Sequence, residues 1–293
     1  MNNILETNNL CKTYTVNKVE KNILKNINLT IKKGEFVSVM GPSGSGKSTL
    51  LYNVSGMDKM SDGDVVFDGI KLNKLTEKKL SEIRLNKMGF VFQQNNLLKN
   101  LGIIDNIVLS AYMAKNKSKE DINKKAVDLM KKTGISELAQ NDITQVSGGQ
   151  LQRTAICRAL INDPVMLFGD EPTGALNSKA ALNIMDILHT INEEGTTVML
   201  VTHDIKVASQ SERVLFMIDG VIKGKYNFNK FNKTEDEIII QLLKGLSNKE
   251  IAQKLNISYG TTRNYISDIY SKVAESDRES AIKKLKKYIE DDE

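Results

Sequence analysis

The sequence of 293 residues contains no tryptophan and only three prolines, two cysteines and two histidines. So little proline excludes Pro-rich linkers and collagen-like repeats. No apolar run approaches the roughly 18 residues that a membrane-spanning helix needs. The first residues carry Asn and Glu where a secretory signal would have a basic start and an apolar core, so we expect a cytoplasmic protein.

Cys11 and Cys157 have no metal-ligand spacing, and we predict two reduced, buried thiols. Apolar residues make up 40% and charged residues 26%, which is typical of a globular protein and argues against disorder. The length suggests one large domain or two ordinary ones, at roughly 150 residues each. A net charge of +5 permits an anionic partner without requiring one.

An α/β fold is indicated by a strand, a glycine-rich loop and a helix in succession. The apolar run 36–40 precedes the loop 41–49, and a helical stretch, 50–56, follows. Two more apolar, β-branched runs, 165–168 and 197–201, are predicted to be buried strands of the same parallel sheet.

Two domains are expected. The first spans 1–225, is mostly helical over 72–158, and holds a helical subdomain at about 95–158. Residues 226–233 carry no periodic apolar face and are predicted to be a linker. The remaining segment, 234–293, changes to short amphipathic helices and is expected to form a small all-α domain. Its predicted helices span about 235–245, 247–255, 259–273 and 277–290.

The glycine-rich loop fits the pattern G-x-x-x-x-G-K-[ST] of phosphate-binding loops. Its residues are Gly41, Pro42, Ser43, Gly44, Ser45, Gly46, Lys47, Ser48 and Thr49. Backbone N–H groups of such a loop surround phosphate oxygens, and the following helix points its positive end at the same anion. We therefore expect ATP here, with Lys47 on the phosphates and Ser48 on Mg²⁺. The alternative, a chance glycine-rich turn, is disfavoured by the flanking strand and helix.

A pair of acids, Asp170 and Glu171, follows the strand at 165–168. Ligands bind at the carboxyl ends of strands in parallel sheets. Asp170 is thus expected to hold Mg²⁺, and Glu171 to act as the general base on the attacking water. The alternative is a solvated acidic turn.

A second anion cradle is predicted where Ser147, Gly148, Gly149 and Gln150 open a helix. A single bound nucleotide is not expected to need two anion-binding turns from the same chain. The pattern makes sense if two chains face each other and each cradle completes the other's site.

In order and spacing, these motifs resemble those of the ATP-binding subunits of ABC transporters, over about residues 3–225. The resemblance implies that Tyr14 stacks on adenine, that Gln93 contacts the nucleotide and Mg²⁺, and that His203 contacts the γ-phosphate. It also implies a homodimer of ATPase domains, a separate multi-span permease, and a place on the inner face of the cell membrane. His189, in a predicted helix, is expected to be a surface or structural residue.

Within the family, FVFQQNNLL and DEPTGALNS look most like the branch that serves lipoprotein-releasing and macrolide or bacitracin exporters. Asn177 stands where the family usually has Asp, which keeps the hydrogen-bonding shape and loses the charge. The alternative from another class is a soluble ATP-gated DNA-binding regulator without a transport role. A neighbouring permease gene would favour transport.

The segment 234–290 resembles the LuxR-type helix-turn-helix domain. Asn256, Ile257 and Ser258 form a short turn before the helix that would read DNA. The predicted DNA contacts are Thr261, Thr262, Arg263 and Asn264. From Lys233 onward the chain has 11 Lys and Arg against 12 Asp and Glu, a net charge of −1, whereas DNA binders usually carry a basic footprint. A helical docking or dimerising module is the alternative.

Overall fold

The computed structural model describes residues 3–227, 231–273 and 275–290. The strands are β1 (Asn3–Val16), β2 (Val19–Lys32), β3 (Phe36–Met40), β4 (Asp62–Phe67), β5 (Ile70–Lys71), β6 (Met88–Phe92), β7 (Met166–Asp170), β8 (Thr197–Thr202), β9 (Arg213–Ile218) and β10 (Val221–Asn227). The helices are α1 (Lys47–Val54), α2 (Glu77–Lys87), α3 (Ile103–Ala114), α4 (Lys119–Lys132), α5 (Gly148–Leu160), α6 (Ser178–Glu193), α7 (Ile205–Ala208), α8 (Lys233–Leu243), α9 (Asn248–Leu255), α10 (Tyr259–Lys272) and α11 (Arg278–Glu290). None of these helices has both the length and the apolar character needed to cross a bilayer.

The strands form two sheets. An antiparallel sheet has the order β2-β1-β4-β5, and a larger sheet has the order β10-β9-β3-β8-β7-β6. In the larger sheet β9, β3, β8, β7 and β6 run parallel, and β10 is antiparallel to β9. Every residue of β3, β7 and β8 is buried, because this sheet is covered on both faces. The strands predicted at 165–168 and 197–201 are confirmed as β7 and β8.

Three apolar clusters hold the first domain together. Leu50, Leu51 and Val54 of α1 pack between the two sheets. Ile156 of α5 and Ile184 of α6 pack on the opposite face of the larger sheet. A third cluster joins α3, α4 and α5 into the predicted helical subdomain. The parallel sheet is thus a layer between the antiparallel sheet and the helices.

Two expectations about this domain are wrong in part. The stretch 72–158 contains β6, which pairs with β7 and forms the outer strand of the larger sheet. The strand β10 reaches Asn227, so the predicted linker begins inside a strand that pairs with β9. The linker's last residue, Lys233, is the first of α8; residues 228–230 lie outside the described part of the chain.

The four predicted helices after the linker are confirmed as α8 to α11. Asn232 caps α8, Ser247 caps α9 and Ser258 caps α10, each by accepting a backbone N–H bond from the first turn of its helix. Asn256 ends α9 with φ 53°, the left-handed value that a tight turn between two helices needs. The short turn predicted between α9 and α10 is therefore present.

Candidate functional site

Four parallel strands end at one edge of the larger sheet. Gly41 follows β3, Gln93 follows β6, Glu171 follows β7 and His203 follows β8. A pocket of about 430 Å³ lies at this edge. It is lined by Tyr14, Lys21, Ile23, Ser43, Gly44, Gly46, Lys47, Ser48, Thr49, Glu171 and His203. The structure thus brings together the phosphate loop, the predicted base, the predicted switch residue and the predicted adenine platform.

The phosphate loop has a backbone that only glycine adopts easily. Gly44 and Gly46 have φ values of 76° and 100°, and Gly46 directly precedes α1. A Cβ at Gly41 would lie 2.0 Å from the carbonyl oxygen of Met217. The hydroxyl of Ser45 is buried and has no hydrogen-bond partner among the described residues. A glycine-rich loop that leads into a helix and carries an unpaired hydroxyl suits a phosphate ligand.

Lys47 lies across this loop, where its Nζ donates to the carbonyl oxygens of Gly41 and Pro42 at 2.9 Å each. Burial lowers the pKa of Lys47 below its ordinary value, and the nearby Glu171 and Asp170 act against that shift. The ammonium group is thus held at the loop in a partly desolvated position, where an anionic ligand would stabilise its charge.

Oxygen atoms suited to Mg²⁺ meet beside the loop. The Ser48 hydroxyl donates to Asp170 Oδ1 at 2.9 Å, and the Tyr52 hydroxyl donates to Oδ2 at 2.8 Å. A hydroxyl and a carboxylate are ligands that Mg²⁺ accepts beside phosphate oxygens and water. Burial, and then the bond to Asp170, raises the pKa of Tyr52 to about 12. No sequence signal pointed to Tyr52.

Glu171 and His203 are in direct contact. Nδ1 of His203 donates to Oε1 of Glu171 at 2.7 Å. Glu171 has φ 51°, a left-handed conformation that costs roughly 1–2 kcal/mol in a residue with a side chain. Such strain is concentrated at functional sites. Its N–H donates to the Val201 carbonyl oxygen at 2.9 Å, which ties the strained residue to β8.

Tyr14 lies at the rim of the same pocket and is 38% exposed. Its hydroxyl donates to Asp58 Oδ2, and the Lys12 ammonium lies 4.5 Å from its ring centroid. Burial and the bond to Asp58 raise its pKa to about 12, so the phenol stays neutral. The partly exposed Tyr14 ring is thus held at the rim of the pocket through its hydroxyl.

Not every predicted residue lies in this pocket. Among the described residues, its lining includes neither Gln93 nor Ser147–Gln150. Gln93 follows Phe92, the register partner of Asp170, and its amide lies against Gly174. Ser147 is exposed and caps α5, with Gln150 N–H donating to its hydroxyl. The second cradle therefore lies outside the pocket that contains the chain's own phosphate loop.

Asn177 replaces the family's usual Asp without losing the helix cap. Its Oδ1 accepts the Ala180 N–H at 2.9 Å at the start of α6.

Cys157 is buried beside Thr133, as predicted. Cys11 is only partly buried, so the expectation of two buried thiols is wrong for Cys11. His189 packs its ring 4.9 Å from that of Phe36, which supports a structural role.

The predicted DNA contacts divide into two groups. Thr261, Arg263 and Asn264 are exposed near the start of α10. Thr262 is completely buried and its hydroxyl donates to the Ser258 carbonyl oxygen at 3.0 Å, so its assignment as a DNA contact is wrong. The spacing of Thr262 from the buried Ile266 and from Ile269 is the helical pattern that could have shown this.

Comparison with known proteins agrees with this geometry. Residues 24–174 match the family described as ABC transporter, and residues 229–285 match bacterial regulatory proteins of the luxR family. The uncharacterized ABC transporter ATP-binding protein MJ0796 of Methanocaldococcus jannaschii is 44% identical over 78% of this chain and 99% of its own length. The bacitracin export ATP-binding protein BceA of Halalkalibacterium halodurans is 41% identical over 75% of this chain and 87% of its own length.

A solved structure of MJ0796, a dimer in a post-hydrolysis state bound to ADP and Pi, has a TM-score of 0.73. It is 42% identical and covers 78% of this chain and all of its own. The macrolide export ATP-binding/permease protein MacB of Chlorobium phaeobacteroides is 41% identical over 76% of this chain but only 34% of its own length.

A phosphate loop, a hydroxyl–carboxylate pair and a strained glutamate at the ends of parallel strands define a P-loop ATPase. The chain belongs to the ABC transporter family as an ATP-binding subunit, and it carries a luxR-type helix-turn-helix domain after its ATPase domain.

Proposed function

We propose that two copies of this chain bind ATP head to tail and power a separate membrane permease. One observation carries the proposal. The chain's own pocket holds the phosphate loop, Glu171 and His203, whereas the exposed cradle at Ser147 lies elsewhere. A second copy, turned to face the first, would bring its cradle to the phosphates that the first copy holds.

Each residue then has a defined task. The loop 41–49 and Lys47 hold the phosphates, and Ser48, Asp170 and Gln93 would hold Mg²⁺. The metal supplies charge neutralisation on the phosphate oxygens. Glu171 takes the proton of the attacking water. His203 exchanges its bond to Glu171 for one to the γ-phosphate, which frees the carboxylate for that task.

A groove in the ATPase domain is a suitable permease site. It measures about 330 Å³ and lies between β6 and the helices α2, α3 and α5, with Met57, Phe90 and Phe92 as apolar lining and Arg84 and Arg158 as polar lining. Met57 is 41% exposed, which is high for a large apolar side chain. Exposed apolar surface with polar neighbours is typical of protein interaction sites.

For the cargo, we propose peptide antibiotics, lipoproteins or similar amphiphiles, with export or resistance as the outcome. The proteins BceA and MacB, whose names refer to bacitracin and macrolide export, support this class. Because it would bind a membrane permease, the ATPase would lie at the inner face of the cell membrane.

We also propose that the C-terminal domain binds double-stranded DNA through Thr261, Arg263 and Asn264.

Co-purification with a permease tests the transport role. The chain is co-expressed with the multi-span protein of a neighbouring gene, and the complex is captured from detergent-solubilised membranes. Met57→Asp should reduce the captured permease at least about fivefold, since a charge would be buried in the groove. Val19→Asp, at a residue 68% exposed at the start of β2, should leave capture unchanged.

Equal capture by both variants would contradict the groove assignment. No neighbouring permease gene, together with sequence-specific DNA binding, would favour the ATP-gated regulator.

A further inference from the structure

Helix α8 is buried on every side. Ile238, Ile239, Ile240, Gln241 and Leu242 are consecutive, and each of them is 0% exposed. A helix that buries five successive residues, four of them apolar, cannot lie at a surface, because neighbouring residues point in different directions around the helix. The helix-turn-helix domain covers one part of α8, since α9, α10 and α11 all pack against it.

The ATPase domain covers the rest. Met40, Ile205, Ala208, Val214 and Phe216 belong to the same apolar cluster as α8. Met40 is the last residue before the phosphate loop, and Ile205 and Ala208 are in α7. The end of β3, directly before the phosphate loop, and the helix α7, directly after His203 and Asp204, therefore both pack against the helix-turn-helix domain.

The helix α7 is fixed to the switch segment. It has only four residues and begins directly after His203 and Asp204. Asp204 accepts the Lys206 N–H at 2.8 Å, and its own N–H donates to the Thr202 hydroxyl at 3.0 Å. One helical turn capped in this way follows any movement of His203. A new partner for His203 would shift Ile205 in the shared cluster.

Lys244, the residue directly after α8, interacts electrostatically with Lys47 of the phosphate loop. Much of Lys244 is exposed, yet burial of its ammonium group lowers its pKa to about 8. The positive charges of Lys254 and Lys47 lower the pKa of Lys244 further, whereas the negative charge of Asp204 raises it. Nucleotide phosphates bound at Lys47 would supply the negative charge that favours the charged form of Lys244.

We propose that α8 couples the nucleotide switch to the DNA-reading domain of the same chain, through its packing against α7 and Met40. The proposal rests on the proposed ATP site and does not require that DNA is bound. Coupling of this kind is reciprocal, so the position of the helix-turn-helix domain must also change nucleotide affinity. The domain is thus a control element of the ATPase as well as its target.

Hydrogen exchange of the full-length chain tests this coupling. Exchange of peptides 41–54 and 234–244 is followed by mass spectrometry with and without the slowly hydrolysed Mg·ATPγS. We expect slower exchange at 41–54, which reports binding, and at least about a twofold change in exchange rate at 234–244. The variant Ser147→Arg, which blocks the exposed cradle, should keep both effects, because the proposed route lies within one chain.

Protection of 41–54 without any change at 234–244 would overturn the coupling while leaving the ATP site intact. Loss of the effect at 234–244 in Ser147→Arg would also overturn it, because dimer closure would then be the cause. No protection at 41–54 would overturn the ATP site itself, and the coupling with it.

A charge variant tests the reciprocal effect by calorimetry with Mg·ATPγS. Lys244→Met should weaken nucleotide binding by roughly two- to fivefold, the range of a single partly screened charge interaction. Lys249→Met, an exposed lysine on α9, serves as the matched control and should not change affinity. Equal affinity of the two variants would contradict the contribution of Lys244.

Discussion

The imidazole of His203 donates to the carboxylate of Glu171 at 2.7 Å, so the predicted switch residue holds the predicted base. A carboxylate that accepts this bond is less free to accept a proton from water. A γ-phosphate that competes for His203 would release Glu171 only when substrate is present. We propose that this contact links the presence of ATP to the availability of the base.

Lys47→Ala should weaken ATP binding by about 100-fold or more, since phosphate charge would lose its buried partner. Isothermal calorimetry measures this directly. Lys33→Ala is the matched control, because Lys33 lies in the turn before β3, at the opposite end of the sheet. Unchanged affinity in Lys47→Ala would contradict the assignment of the phosphate loop.

The same site predicts a dependence on pH. The charged form of Lys47 binds phosphate, and deprotonation on raising the pH removes that charge. Because burial lowers the pKa of Lys47 below its ordinary 10.5, affinity should begin to fall at a lower pH than an exposed lysine would give.

Selection of bound duplexes from a random DNA library tests whether the full-length chain recognises a DNA sequence. On an enriched site, Arg263→Ala should cost about 1–3 kcal/mol, the typical contribution of an arginine to a base edge. Thr262→Val should stay within about twofold, because Thr262 is buried and its hydroxyl bonds only within the turn. The net charge of −1 predicts weak binding by one copy and tighter binding when two copies act together.

Binding should also weaken as salt rises, since phosphate contacts release counterions. A selection that enriches nothing, with or without ATP, would indicate a docking module instead.

The two thiols should differ in reactivity. Burial raises the pKa of Cys157 to about 11, whereas Cys11 is partly exposed. At pH 8 the smaller thiolate fraction alone should slow alkylation of Cys157 by about 100-fold relative to an ordinary thiol. Mass spectrometry after brief iodoacetamide treatment should find one modified cysteine in the native chain and two after unfolding. Equal labelling of both in the native chain would contradict the burial of Cys157.

The sequence alone could predict the parts of the site that depend on local geometry. The phosphate loop, the acids after β7 and His203 after β8 each directly follow a buried strand, and parallel strands bring such residues to one edge. The helices α8 to α11 followed from apolar spacing and caps.

Features that depend on tertiary contacts could not be read in this way. The bond from Tyr52 to Asp170 joins residues 118 positions apart. The run Ile238–Ile240 indicates a buried helix, yet nothing in it identifies α7 as the neighbour. The strand β6 is an apolar run of only five residues, and nothing in that run identifies β7 as its partner.

Turnover and mass of the variant Glu171→Gln test whether Glu171 is the general base and whether MgATP joins two chains. The amide keeps the shape of the side chain but cannot take a proton, so phosphate release should fall at least about 100-fold while ATP binding persists. Light scattering with MgATP should then give twice the mass of one chain, and Glu137→Gln, an exposed acid in the helical subdomain, should behave as the unmodified protein. Hydrolysis at the normal rate would contradict the role of Glu171 as the base, and a monomer with MgATP bound would contradict the head-to-tail dimer.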